Sequence, residues 1–290
     1  MKKILLVLLL PIIGFAHMKI AVSYPYIGAL TKSIGAEHLK TVVLAKGAWD
    51  PHFIIPRPSL IAKMRTADAL ILNGASLEIG WLPPLMRRAN NTKVQLGSSR
   101  LLDLSQQVKL INIPKNVSRA GGDVHPEGNP HFHLDPYNIP KLALAIKDFL
   151  SRIDSEHKSI YETNYNQLIK KWKKNLKKWD VVMKKKKGLK VIQFHDNLAY
   201  FNKRYRIKSI ATIEPLPGIP PSSQHTLKLI KIIESEKPCC ILHDVYHSTK
   251  TAKYLANKTN IDIILMPHDI GAMNKITDLE KLFDYLTSKI

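Results

Sequence analysis

Short apolar runs rich in Val, Ile and Leu recur along the chain and alternate with longer stretches of helical periodicity. Runs that read as strands are KIAVS (19–23), TVVLA (41–45), ALILN (69–73) and VKLIN (108–112), and then KVIQF (190–194), IATIE (210–214), CCILH (239–243) and DIILM (262–266). Between them lie helical patterns such as PSLIAKMRTA (58–67), IPKLALAIKDFLSRI (139–153) and TLKLIKIIESE (226–236). Strands separated by helices of this length predict βαβ units and mainly parallel sheets. Their nearly continuous apolar character predicts sheets covered on both faces.

The two groups of strands are separated by LIKKWKKNLKKWDVVMKKKKGLK (168–190), in which Leu168, Trp172, Leu176, Trp179 and Met183 recur at steps of three and four. That spacing predicts an amphipathic helix whose lysines fill the other face. The organisation expected is an α/β lobe over residues 17–153, one long linking helix over 154–187, and a second α/β lobe over 188–290. No strand is followed by GxGxxG or a Walker-type lysine loop, which removes the usual phosphate-binding classes. The proline-rich IEPLPGIPPSS (213–223) reads as an ordered loop after a strand, because further strands follow it.

The first residues, MKKILLVLLLPIIGFA, combine two lysines, a short apolar run and a small residue at position 16. This predicts a cleavable signal peptide over residues 1–16 and export of the rest. The formal net charge is +21, and Lys2 and Lys3 leave with the leader. Much of the excess sits on the lysine-rich helix, where a solvated face is expected first and attraction to an anionic membrane surface second. Export and the lack of an aromatic-basic motif exclude a nucleic-acid partner. The only cysteines are the adjacent Cys239 and Cys240, so no disulfide framework holds this chain together.

In open α/β sheets ligands bind beyond the carboxyl ends of the strands. His52 follows TVVLA across the loop KGAWDP, His195 follows KVIQF directly, and His268 comes shortly after DIILM, while His131 precedes the last helix of the first lobe. These four could converge between the lobes. They are too far apart in sequence for a zinc finger, and no HExxH helix is present. In GNPHFHLDP (129–137), a strand-like HFHL would put His131 and His133 on one face.

Four separated motifs carry a resemblance that spans nearly the whole chain after the leader. WDPHFIIPRPSLIAKMRTADALILNGASLEIGWL (49–82), GNPHFHLDP, FHDNLAYFNKRYRI (194–207) and IEPLPGIPPSSQH (213–225) are similar, in order, to motifs of the zinc/manganese solute-binding proteins of ABC importers, the cluster A-I family. The resemblance implies two α/β lobes bridged by a rigid helix, with a metal ion held between them by His52, His131 and His195. The family's fourth ligand is usually an aspartate near the C-terminus. Here HDIG puts His268 in its place, so His268 is the fourth ligand expected, with Asp269 or water as alternatives. His133 stands where the family commonly has tryptophan and is expected to pack. The family's zinc members often carry a long histidine-rich loop before the NPH motif. The corresponding RAGGDVHPEGNP (119–130) is short, and His125 and Glu127 read as loop residues first and weak capture groups second.

A histidine at the third position favours Zn(II) over manganese, since imidazole suits zinc and hard oxygen donors suit manganese. Asp135, Asp196 and Glu78 are candidates to fix imidazole tautomers, though each could equally cap a helix or pair with a lysine. The resemblance implies a monomeric periplasmic protein, not an enzyme, that carries Zn(II) as transported ligand to a membrane permease. The alternatives are a manganese or iron carrier, a periplasmic zinc buffer or chaperone, and, more remotely, a zinc hydrolase.

Overall fold

The computed structural model describes residues 17–116 and 124–290, and the leader expected over 1–16 lies outside the described residues. In the first lobe β1 (Met18–Val22), β2 (Leu39–Val43), β3 (Ala69–Leu72) and β4 (Leu101–Asp103) form one sheet in the order β2-β1-β3-β4. In the second, β5 (Lys190–Gln193), β6 (Lys208–Thr212), β7 (Cys240–His243) and β8 (Asp262–Leu265) repeat that pattern as β6-β5-β7-β8. Every pairing is parallel. In each lobe the chain reverses direction across the sheet beside its first strand, which opens a crevice at the carboxyl ends of the central strands.

The helices start where the sequence carries start signals. α1 (Pro25–Gly35), α2 (Pro58–Arg65), α3 (Leu82–Ala89) and α4 (Ile139–Ile153) all have proline in their first two positions, where its missing N–H costs nothing. α5 (Lys158–Lys184) is the long helix, preceded by a 3-10 turn over Ser155–His157. It is followed by α6 (Ala199–Tyr205), α7 (Ser223–Glu236), α8 (Lys250–Thr259) and α9 (Leu279–Lys289). The Ser222 hydroxyl caps α7 by accepting the His225 N–H at 3.2 Å, which starts that helix before the apolar run that suggested it.

α5 buries Tyr161, Trp172, Leu176, Trp179 and Met183 and leaves its lysines exposed. It packs on α1 and α4 of the first lobe and on α9 from the end of the chain. Trp172 and Trp179 meet edge to face at 5.1 Å, and Phe283 of α9 lies 5.6 and 5.2 Å from them. The Trp179 indole N–H donates to Asp284 at 2.7 Å, and that of Trp172 to the Pro136 carbonyl at 2.8 Å. One apolar core therefore continues from the first lobe through α5 to α9 and the near face of the second sheet, with a smaller core on that sheet's other face.

One strand expectation fails. VKLIN (108–112) is not a strand, and the fourth strand of the sheet is the shorter Leu101–Asp103, followed by a 3-10 turn to Gln107. The backbone of Ile111 is satisfied from elsewhere, its N–H donating to Tyr200 Oη of the second lobe at 3.1 Å and its carbonyl accepting from Asn129 at 2.8 Å. The run is apolar because it packs between the lobes, not because it sits in a sheet. HFHL is not strand-like either: Phe132–Leu134 form a 3-10 turn.

Candidate metal centre

Three histidines meet between the lobes. The rings of His52, His131 and His195 form a nearly equilateral triangle, with centroids 5.4 Å (His52–His131), 5.3 Å (His52–His195) and 5.5 Å (His131–His195) apart. The ring planes are close to perpendicular, at 74°, 77° and 90°. One ligand atom from each lies within 4.8 Å of the others, and this is the group so placed among the described residues. Donors around a tetrahedral zinc stand about 3.3 Å apart, given Zn–N bonds of about 2.0–2.1 Å. A small inward movement is all that separates this triangle from a metal site.

Each ring is aimed by its own segment. The loop after β2 is held at Pro51, whose carbonyl accepts from Tyr24 Oη (2.9 Å) and Trp81 Nε1 (3.2 Å). Asp50 then accepts the His52 backbone N–H and lies 2.9 Å from its Nδ1, which leaves Nε2 buried and without a partner among the described residues. His131 is set by Asn129, which accepts its backbone N–H at 3.0 Å, and by Asn73, which donates to the Pro130 carbonyl at 3.1 Å. Both its ring nitrogens are buried without a partner among the described residues. His195 begins the loop after β5, and its Nδ1 lies 2.6 Å from Glu214 Oε2, at the end of β6. A carboxylate on Nδ1 fixes the tautomer that offers the Nε2 lone pair and raises its basicity as a ligand.

The electrostatics suit neutral imidazole. Burial, followed by its neighbours His52 and His195, holds the pKa of His131 well below the usual histidine value, so its lone pair stays free. Burial alone would raise the pKa of Asp50, but its hydrogen bonds to the ring and backbone of His52 help to outweigh this and leave it low.

The other candidates are not in the three-ring group. His133 does not share a face with His131: it stacks on Tyr26 at 4.4 Å with planes 6° apart, and its Nε2 donates to the His268 carbonyl at 2.9 Å. His268 is not in the three-ring group. It is buried edge-on to Tyr246 at 4.8 Å, with Nδ1 unpartnered among the described residues. The Asp269 carboxylate accepts the Ile270 N–H at 2.6 Å, and burial pushes its pKa well above the usual carboxylate value.

None of the three carboxylates suggested for tautomer control hydrogen-bonds to a ring of the triangle. Asp135 makes a two-pronged pair with Arg204 (2.9 and 2.8 Å), and Asp196 accepts from Asn112 and Gln193. Glu78 accepts the N–H groups of Asn73 and Gly74, and burial raises its pKa to about 7. Asp50 and Glu214 take that role, and sequence reading missed both. A signal existed for each: Asp50 is two residues before His52 in WDPH, and Glu214 opens the EPLPG loop after a strand. His125, read as a loop residue, has its ring 5.3 Å from that of His52.

The high-affinity zinc uptake system protein ZnuA of Yersinia pestis is 22% identical over 260 residues, covering 86% of this chain and 82% of its own. The zinc-binding lipoprotein AdcA of Streptococcus pneumoniae is 22% identical over 237 residues, and the chain spans about half (46%) of its length. Among solved structures, a crystal structure of ZnuA superposes with a TM-score of 0.79 at 24% identity, covering 94% of this chain and 97% of that one. A manganese-bound periplasmic metal binding protein from Candidatus Liberibacter asiaticus superposes at 0.75 with 18% identity, covering 93% and 97%. At these identities the superpositions speak for a shared fold. The model of the family described as zinc-uptake complex component A, periplasmic, matches residues 20–288, and the chain belongs to that family.

Proposed function

We propose that this protein binds one Zn(II) ion through His52, His131 and His195 and delivers it to the membrane permease of an ABC importer. The ion is its cargo. The observation that carries the reading is the triangle of three imidazoles, two of them held at Nδ1 by a carboxylate. Three neutral nitrogen donors without a first-rank oxygen donor favour zinc over manganese or iron. The names of the relatives, zinc uptake and zinc-binding proteins, point the same way.

In this reading the chain is exported by the leader over residues 1–16, cleaved after Ala16, and works as a monomer in the periplasm. The lysine face of α5 is solvated. The lobes are tied close to the site by Asn129, which donates to the Asp196 carbonyl at 2.7 Å, and by the Asp135–Arg204 pair, while α5 stiffens the far side. Loading then involves local loop movement more than hinge closure. Hydrolysis is not supported, because Asp50 and Glu214, the carboxylates nearest the rings, are engaged in orienting them and not in activating water.

The test is metal analysis and chelator competition with zinc and manganese on the mature chain. One zinc per chain is expected, preferred over manganese, with affinity falling at least about 100-fold in His131→Ala. Preference for manganese, or no stoichiometric metal, overturns the proposal.

A further inference from the structure

We propose that the fourth donor to the zinc ion is His125, carried on the loop that leads into the NPH segment. The inference rests on the three-histidine reading above. The His125 ring lies 5.3 Å from the ring of His52, the same separation as between His52 and His195, and is tilted 34° to it. Its Nε2 is buried and has no hydrogen-bond partner among the described residues. It also lines a cavity of about 120 Å³ that His131 and His195 line from other sides. A half-buried imidazole with a buried, unused nitrogen, lining a cavity that His131 and His195 also line, is an unfilled coordination direction.

The segment is built to hold it there. Glu127 accepts the Ser76 hydroxyl at 3.0 and 2.8 Å, the Gly128 N–H closes a turn on the His125 carbonyl at 3.1 Å, and Asn129 N–H bonds the Ile111 carbonyl at 2.8 Å. Gly128 has φ +118°, and a Cβ there would come within 2.8 Å of the Ile111 oxygen, so the turn depends on this glycine. His125 stands outside the group of three, so it joins by a movement of its side chain toward His52 while the turn that carries it stays in place. His268 also has a buried Nδ1 without a partner among the described residues, but its ring lies against Tyr246 and its backbone holds His133, while the Asp269 carboxylate is bound by its own loop.

The experiment is Zn(II) competition titration and Co(II) absorption spectroscopy on the mature protein and on His125→Ala, His125→Asn, His268→Ala and His131→Ala, at neutral pH. Both His125 variants are expected to keep one zinc per chain, with affinity about 10- to 100-fold lower, an altered Co(II) ligand-field spectrum, and partial recovery of that spectrum on adding free imidazole. His268→Ala is expected to match the parent. Parent-like affinity and Co(II) spectra in both His125 variants overturn the inference, as does a loss confined to His268→Ala. Absence of stoichiometric zinc in the parent, or no effect of His131→Ala, instead overturns the three-histidine reading beneath it.

Discussion

Glu214 Oε2 stands 2.6 Å from Nδ1 of His195, while the other oxygen of the same carboxylate accepts the Gly218 N–H at 2.7 Å. One side chain thus sets a tautomer and ties down the EPLPG loop. Glu214→Gln keeps an acceptor but removes the charge that raises imidazole basicity. Zinc affinity should fall by about 10-fold or more, the range known for partners of metal-bound histidine. Chelator competition measures it, and an unchanged affinity would mean that His195 does not depend on Glu214.

Gly47, in the loop that carries His52, lies directly against the backbone of the second lobe at Ile270. A Cβ built there lies 1.8 Å from the Ile270 carbonyl oxygen, a backbone atom that cannot swing aside. Gly47→Ala should cost about 1–3 kcal/mol of stability, as overpacking does. It should also weaken zinc binding, because the displaced segment includes Asp50 and His52. Urea unfolding and zinc titration of the same variant report the two effects separately.

Trp179 is fully buried between Trp172 and Phe283, with its N–H on Asp284. Trp179→Ala should cost about 3–5 kcal/mol, the usual range for deleting a large buried aromatic. Chemical denaturation tests this. A loss below about 1 kcal/mol would show that α5 is not part of the continuous core.

His133→Phe preserves the stack on Tyr26 but leaves the His268 carbonyl unpaired. A buried carbonyl without its donor costs about 1–3 kcal/mol. Thermal unfolding should register that loss while zinc stoichiometry remains at one. A stoichiometric loss of zinc would instead make His133 a ligand.

Acid should destabilise the metal-free protein. Burial holds His133 at about 4, His268 at about 3 and His131 well below the usual value, against about 6.5 when unfolded. Between those limits the unfolded chain binds more protons than the folded one, so folding stability rises with pH and drains away as pH falls below about 6.5. The slope is at most about 1.4 kcal/mol per pH unit for each such group. Melting temperatures should hold from pH 8 to about pH 7 and fall from there to pH 5. A flat profile would show that these rings protonate in the folded state without penalty.

What the chain determines by itself is the alternation of apolar runs and helical periods, and hence two parallel-sheet lobes and the long helix with its Trp172 and Trp179 face. These are local or near-local signals, set by strand and helix geometry and by burial of one face. His52 and His195 were legible as site residues because parallel-sheet topology sends ligands to the carboxyl ends of strands. His131 needed the likeness of its motif. The same likeness separated His131 from His133, but the physical reason came from the tertiary structure, since the same four letters allow a strand or a 3-10 turn and packing against Tyr26 and the His268 backbone selects the turn. It also decided that Val108–Asn112 is an inter-lobe segment and not a strand, because the partners of its backbone lie in distant parts of the chain. Glu214 could be picked out as a carboxylate after a strand, but its contact with His195, like the ring of His125 beside His52, was out of reach for the same reason. Contacts between side chains on separate loops depend on how both lobes dock, and no period or spacing along one segment encodes that.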